Sequence, residues 1–238
     1  MPTIIKEGAI FVADAHYPHH GNALLTLLEL IEKQTISPPQ LFLVGDIFDL
    51  LFGYNEYIQT FSKKVILLLQ KLSTTLEIYY FEGNHDFCLK EIFPHIKLYP
   101  RVKQPVLFHL GDKEIYLAHG DLYDTGFGYN LYSRILRNPI TLTLLRPLEK
   151  PIINHRRRKL QKKKICGKFQ NFRTKVNKIK TYYPQNRLII EGHFHQGQIM
   201  DNYISLPSLV CQKKIAIIKD QKIEFLLLDD LKQIGTIS

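Results

Sequence analysis

The stretch Leu41-Phe42-Leu43-Val44-Gly45-Asp46-Ile47-Phe48-Asp49 passes from an unbroken apolar run straight into a turn that carries two carboxylates. The apolar run fits a buried strand. Gly45 lets the backbone turn tightly, so Asp46 is delivered at the strand's carboxyl end. The same design recurs four times. Ala9–Ala13 leads into Asp14-Ala15-His16, and Leu76–Phe81 leads into Gly83-Asn84-His85-Asp86. Glu114–Ala118 presents His119-Gly120-Asp121, and Leu188–Glu191 presents Gly192-His193-Phe194-His195.

Helical periodicity fills the early gaps. Asn22 is placed to cap a helix with apolar Leu24, Leu27, Leu28 and Ile31, ended by Pro38-Pro39. Tyr57, Phe61, Val65, Leu68 and Leu72 predict a second amphipathic helix. A βαβαβ opening predicts an α/β fold with a largely parallel sheet and its polar blocks gathered at one edge. Val106–Leu110 and Glu114–Ala118 flank Gly111-Asp112 as a hairpin. From Tyr129 to about Tyr183 the pattern is helical and interrupted by Pro139, Pro147 and Pro151, which predicts a cap inserted over about 125–184 in a single domain spanning 1–238. Short β segments follow, at Tyr203–Leu206, Ile215–Lys219 and Ile223–Leu228.

The chain has 238 residues, enough for one α/β domain with a proper core. Its three cysteines, Cys88, Cys166 and Cys211, form no CxxC, and the odd count argues against a disulfide framework and for a reducing compartment. The expectation is of buried, inert thiols at Cys88 and Cys211. The first apolar stretch is too short for a secretory segment, and no run approaches the ~18 apolar residues of a spanning helix. A cytoplasmic protein is expected, peripheral on the inner membrane if its basic face binds lipid. The net charge of +10 is concentrated: fourteen Lys/Arg lie between Arg146 and Lys180 against one acid, Glu149. A field of that sign attracts phosphates, nucleic acid or anionic headgroups.

Asp, His and Asn at so many strand ends point to a two-metal hydrolytic centre. Two cations can lower the pKa of a water and neutralise phosphoryl oxygens during hydrolysis of a phosphate ester. Mixed carboxylate, amide and imidazole donors suit divalent transition metals, manganese first with iron or zinc as alternatives, better than calcium. In Asp14-x-His16 and His193-x-His195, alternate residues of an extended segment would face one ion together.

The series D-x-H, G-D-x-x-D, G-N-H-D, a later H and G-H-x-H resembles the calcineurin-like metallophosphoesterase superfamily over Asp14 to His195. The resemblance implies a four-layer α/β/β/α sandwich with a dinuclear site. It implies one metal on Asp14, His16, Asp46 and His195, and the other on Asp46, Asn84, His119 and His193, with Asp46 bridging. His85 would stand by the leaving group, oriented by Asp49. Asp86 and Asp121 would hold loops, and His19 and His20 would be solvated loop histidines.

Within the superfamily, Gly45–Leu50, His119-Gly120-Asp121 and the run Tyr129–Pro139 are similar to the UDP-2,3-diacylglucosamine diphosphatases of lipid A synthesis. That similarity implies cleavage of a lipid-linked nucleotide sugar to UMP and 2,3-diacylglucosamine 1-phosphate. Asn84, His85, Arg134, Arg137 and His193 would be substrate contacts. The chain departs from that branch at His85, where the branch usually carries Arg. The alternatives are a phosphodiesterase or nuclease whose basic cap tracks a nucleic-acid backbone, and a non-catalytic scaffold binding membrane or a partner. With every ligand position filled, an enzyme is expected.

Overall fold

The computed structural model describes residues 3–123 and 126–231. Along the chain come β1 (Thr3–Ile4), β2 (Ile10–Val12), α1 (Ala23–Glu32), β3 (Gln40–Val44), β4 (Leu51–Phe52), α2 (Glu56–Thr60), α3 (Lys63–Leu72), β5 (Glu77–Phe81), β6 (Asp86–Phe87) and β7 (Lys97–Tyr99). They are followed by β8 (Val106–Leu110), β9 (Lys113–Ala118), α4 (Phe127–Leu136), α5 (Pro139–Leu144), α6 (Glu149–Lys162), α7 (Phe172–Lys180) and β10 (Leu188–Glu191). Last come β11 (Gln198–Met200), β12 (Tyr203–Ser205), α8 (Leu209–Gln212), β13 (Lys214–Lys219) and β14 (Lys222–Leu227).

Two six-stranded sheets result, in the orders β14-β13-β2-β3-β5-β7 and β1-β8-β9-β10-β12-β11. The pairs β2–β3, β3–β5 and β9–β10 are parallel, so several strands end on one side. Alternate residues explain the layers. Phe11, Phe42, Val44, Tyr79 and Phe81 meet Phe108, Ile115, Leu117 and Ile190 of the other sheet in one apolar cluster. Their neighbours Ile10, Leu41, Leu43 and Ile78 point the other way, onto Leu24, Leu28, Val65 and Leu69 of α1 and α3. On the far side, Ile189 and Tyr203 carry α7 through Phe172, Val176 and Ile179. Helix, sheet, sheet, helix is the expected sandwich, and strands buried on both faces read as continuous apolar runs for this reason.

Several local expectations change. Asn22 occupies the N-cap position of α1 but makes no side-chain capping hydrogen bond. The single helix expected over 57–72 is two, broken at buried Ser62, whose φ of −123° is not helical and which occupies the N-cap position of α3 without a side-chain capping hydrogen bond. The helices of the 125–184 stretch are not of one kind: α7 is a layer of the sandwich, whereas α4, α5 and α6 together line an apolar cavity. The expected start at 125 falls outside the described residues. Helix α6 is seated on α2: Asn55 Nδ2 donates to Glu149 Oε2 at 2.8 Å, and Tyr57 Oη donates to Asn154 Oδ1 at 3.0 Å.

The cysteines are a correction. Cys166 and Cys211 form a disulfide across 45 residues of sequence, and only Cys88 is free, half-buried. An odd count leaves room for one pair, and fold-dependent proximity is invisible in spacing. The count therefore no longer argues for a reducing compartment.

Candidate metal centre

The polar blocks converge because each follows a strand at the same end of the two facing sheets. Asp14, His16 and His195 offer ligand atoms within 4.8 Å of one another, as do Asp46, His119 and His193, and also His16, Asp46 and His85. Asn84 joins the second group, its Oδ1 lying 3.3 Å from His119 Nε2. Asp46 belongs to two of the three groups and lies between them.

The backbone here is not extended as the D-x-H spacing suggested. Asp14 (φ 51°), His16 (φ 45°), Asp46 (φ 51°), His193 (φ 62°) and His195 (φ 56°) all occupy the left-handed region. Non-glycine residues rarely do, and such strain persists where surrounding contacts over-determine it. Here those contacts are main-chain bonds: Asp14 N–H donates to Gly45 O at 3.1 Å, and His16 N–H to Asp46 O at 3.0 Å. The two side chains share a side through a turn, not through strand alternation.

Two glycines are required by close approach. A Cβ on Gly45 would collide with the His119 imidazole, and one on Gly83 with the main chain and carboxylate of Asp46. Asp86 holds the Asp46 loop as expected. Its carboxylate accepts from the N–H groups of Asp46 (3.1 Å), Ile47 (2.6 Å) and Gly83 (2.8 Å) and from Tyr80 Oη (2.6 Å). Asp121 accepts from buried Arg101 Nε at 2.6 Å. His119 N–H donates to Gln104 Oε1 at 2.7 Å, a contact that nothing in the motif announced.

The donor set fits divalent metal ions. Asp14 Oδ2 and both ring nitrogens of His16 are buried with no hydrogen-bond partner among the described residues. Buried polar atoms without partners are costly, and cations would satisfy them. Electrostatics agree. Burial would raise the Asp46 carboxyl, but His85, His119 and His16 hold it well below the usual carboxylate range. Burial lowers His16 to about 3, so its imidazole is neutral. Burial also opposes the charged form of His119, yet the carboxylates of Asp46, Asp121, Asp14 and Asp86 outweigh it and push the pKa up to about 9.

His85 is oriented differently from expectation. Its Nδ1 lies 2.7 Å from the main-chain carbonyl of Asp49, not from the carboxylate. A carbonyl only accepts, so Nδ1 carries the proton and Nε2, 4.0 Å from Asp46 Oδ2, is left for chemistry. The Asp49 carboxylate serves other histidines. His19 Nδ1 lies at 3.1 Å, His20 Nε2 at 3.5 Å and His16 Nδ1 at 3.7 Å. His19 and His20 are thus packed on a carboxylate instead of being loosely solvated.

A cleft of about 380 Å³ opens on the centre, lined by His16, Asp46, Asn84 and His85, with Lys163, Lys164 and Lys168 on its other wall. These lysines come from the segment that the Cys166–Cys211 bridge ties down beside His195, whose Nδ1 is 3.5 Å from Cys211 Sγ. A second, apolar cavity of about 170 Å³ adjoins it at Asn84, among Leu50, Phe52, Phe87, Leu136 and Leu142. Arg134 is exposed on α4 and lines neither cavity. Arg137 lines the apolar one, donates to Gly83 O at 2.6 Å and stacks on Phe87 at 5.2 Å.

A family model described as calcineurin-like phosphoesterase matches residues 9–197. A protein of Pseudomonas fluorescens (strain SBW25) called UDP-2,3-diacylglucosamine hydrolase is 29% identical, with 80% of each chain covered. One of the same name from Coxiella burnetii (strain RSA 331 / Henzerling II) is 28% identical, covering 81% of this chain and 82% of that one. Among solved structures, a dimetal phosphatase from Danio rerio matches 94% of this chain and 96% of its own, with 11% identity and a TM-score of 0.41.

Proposed function

We propose that this chain, which belongs to the calcineurin-like phosphoesterase family and is a metal-dependent phosphoesterase, hydrolyses the pyrophosphate of UDP-2,3-diacylglucosamine to UMP and 2,3-diacylglucosamine 1-phosphate. The carrying observation is the apolar cavity that shares Asn84 with the metal cleft. A nucleotide or nucleic acid offers nothing aliphatic to fill it, whereas an acylated sugar does. At about 170 Å³ it is smaller than the ~300 Å³ at which drug-sized sites begin, so it takes part of an acyl chain and not two whole ones. The rest would run along exposed Leu131 and Ile135 of α4 and Leu144 of α5.

Asp14, His16, Asp46 and His195 would hold one divalent ion, with Asp46, Asn84, His119 and His193 holding the other. Manganese is the first choice. Bound ions supply charge neutralisation at the phosphoryl oxygens and an activated water. The chain's own part is positioning and proton handling. Lys163, Lys164 and Lys168 face the cleft, where a diphosphate would enter. His85, anchored through Nδ1, would present Nε2 toward the leaving oxygen, to donate a proton or stabilise charge there.

With manganese added, the purified protein should release UMP from UDP-2,3-diacylglucosamine. Leu142→Asp should raise KM about ten- to fifty-fold, the loss of burying two or three methylenes at ~0.8 kcal/mol each, while sparing bis-p-nitrophenyl phosphate. Hydrolysis of bis-p-nitrophenyl phosphate without UMP release would leave the metal centre standing, remove the lipid substrate and favour a nucleic-acid phosphodiester.

No helix among the described residues is long and apolar enough to cross a membrane. Ile140 and Leu144, 69% and 74% exposed on α5, nevertheless precede Arg146 and Lys150 by two to ten residues. We take this face to rest on an anionic leaflet, where the substrate's acyl chains would be found. Ile140→Asp with Leu144→Asp should lower cosedimentation with phosphatidylglycerol vesicles several-fold. Unchanged binding would exclude this face.

A further inference from the structure

Between the cap and the first ligand loop stands a chain of side chains that hydrolysis by the metal centre does not itself require. Arg157, on α6, places its guanidinium 3.4 Å above the Phe61 ring and one terminal nitrogen 2.8 Å from His19 Nε2. The guanidinium can only donate, so His19 Nε2 must accept, and the His19 proton is forced onto Nδ1. That Nδ1 lies 3.1 Å from Asp49 Oδ2, which also accepts from the His19 main-chain N–H at 2.7 Å. With Oδ2 engaged twice, Oδ1 is the oxygen turned to the rings of His20 and His16. His16 Nδ1 faces it at 3.7 Å, leaving Nε2 as the nitrogen available to a metal.

We propose that Arg157 and His19 are positioning residues: together they lock His19 as the Nδ1–H tautomer and fix the Asp49 carboxylate that orients the ligand His16. The cap helix is thereby coupled to the metal centre, across 138 residues of sequence between Arg157 and His19. The first two links, Arg157 to His19 and His19 to Asp49, are each a donor meeting an acceptor. The last, from Asp49 Oδ1 to the His16 ring at 3.7 Å, is a carboxylate–imidazole contact longer than a hydrogen bond. Carboxylates that orient ligand histidines influence metal affinity strongly, and their loss typically weakens binding by about 10–100-fold. The same contact works in reverse. A substrate that shifts α6 moves Arg157, and with it the orientation of His16.

This inference rests on the proposed metal ligands, and the experiment separates the two. Manganese is titrated calorimetrically into metal-free wild type and variants, and the His19 tautomer is read from long-range nitrogen–proton NMR spectra of the zinc-loaded protein. Wild type should bind two ions, with His19 as Nδ1–H. Arg157→Ala should weaken one of the two sites about 10–100-fold and mix the His19 tautomers, with Arg157→Lys restoring part of the affinity. His19→Gln keeps an acceptor for Arg157 but loses the donor to Asp49, and should weaken the same site. His19→Asn keeps that donor and should bind metal nearly as wild type does. Full affinity and an unchanged tautomer in Arg157→Ala, with wild type still binding two ions, would overturn the relay alone. A wild type that binds no metal would overturn both readings.

Discussion

Asp46→Asn is expected to give a folded protein that keeps neither a full metal complement nor its turnover, with a rate loss on the order of 10³-fold or more, the equivalent of several kcal/mol of lost charge stabilisation. Asparagine is the informative substitution at this position. Asp46 sits at φ 51°, where asparagine is tolerated and alanine is not. Its Oδ1 accepts from the His85 N–H at 2.8 Å, and an amide oxygen can continue to do so. The Asp86 carboxylate would still hold the loop from beneath. What changes is the negative charge at the carboxylate that belongs to two of the three ligand groups. With Asp46 held well below the ordinary carboxylate range by its histidines, that charge is present throughout the working pH range of the wild type. Metal content by plasma mass spectrometry, beside a circular dichroism spectrum, checks the claim. A folded variant with two ions and normal turnover would remove Asp46 from the bridging role proposed for it.

The fold was legible where a residue's burial follows from its own strand. Ile10, Leu41, Phe42, Ile78 and Tyr79 are apolar in unbroken runs because each strand has a sheet on one face and helices on the other. The convergence of the polar blocks was legible too, since parallel strands deliver their ends to one side. The short strands β1, β4, β6 and β7 were not, as two or three residues carry no periodicity and are defined by the neighbour they pair with. At the site, the identities Asp14, His16, Asp46 and His119 could be read, but their left-handed backbone could not. The pattern D-x-H suggests alternation in a strand, whereas the contacts that enforce the turn come from Gly45 and Asp46 on another segment. The same holds for Asp49, whose partner was taken to be the His85 ring. Its carbonyl serves His85 while its carboxylate serves His19 and His20, a division no spacing rule expresses. Arg157 and the Cys166–Cys211 bridge depend wholly on where the cap is seated. The only advance signal for the first was a pair of adjacent histidines separated by two residues from a ligand block.

His85→Ala should lower turnover by about 10²–10⁴-fold while both metals stay bound. The ring touches the centre from the side: Nδ1 is spent on the Asp49 carbonyl at 2.7 Å and Nε2 stands 4.0 Å from Asp46 Oδ2. Removing it therefore leaves the Asp14, His16 and His195 group and the Asp46, His119 and His193 group whole. Loss of a metal in this variant would make His85 a ligand and contradict the place proposed for it beside the leaving group. If Nε2 supplies a proton, the defect must depend on how badly the departing oxygen needs one. It should be larger for a phenyl phosphodiester than for its p-nitrophenyl analogue, whose nitro group already stabilises the leaving phenolate. His85→Arg then divides the two ways an imidazole can help. A guanidinium stabilises negative charge but does not surrender a proton at working pH. Activity restored by arginine would assign the position to charge stabilisation and explain why the diacylglucosamine branch usually carries arginine there. A variant that binds two ions but remains as slow as His85→Ala would assign it to proton transfer.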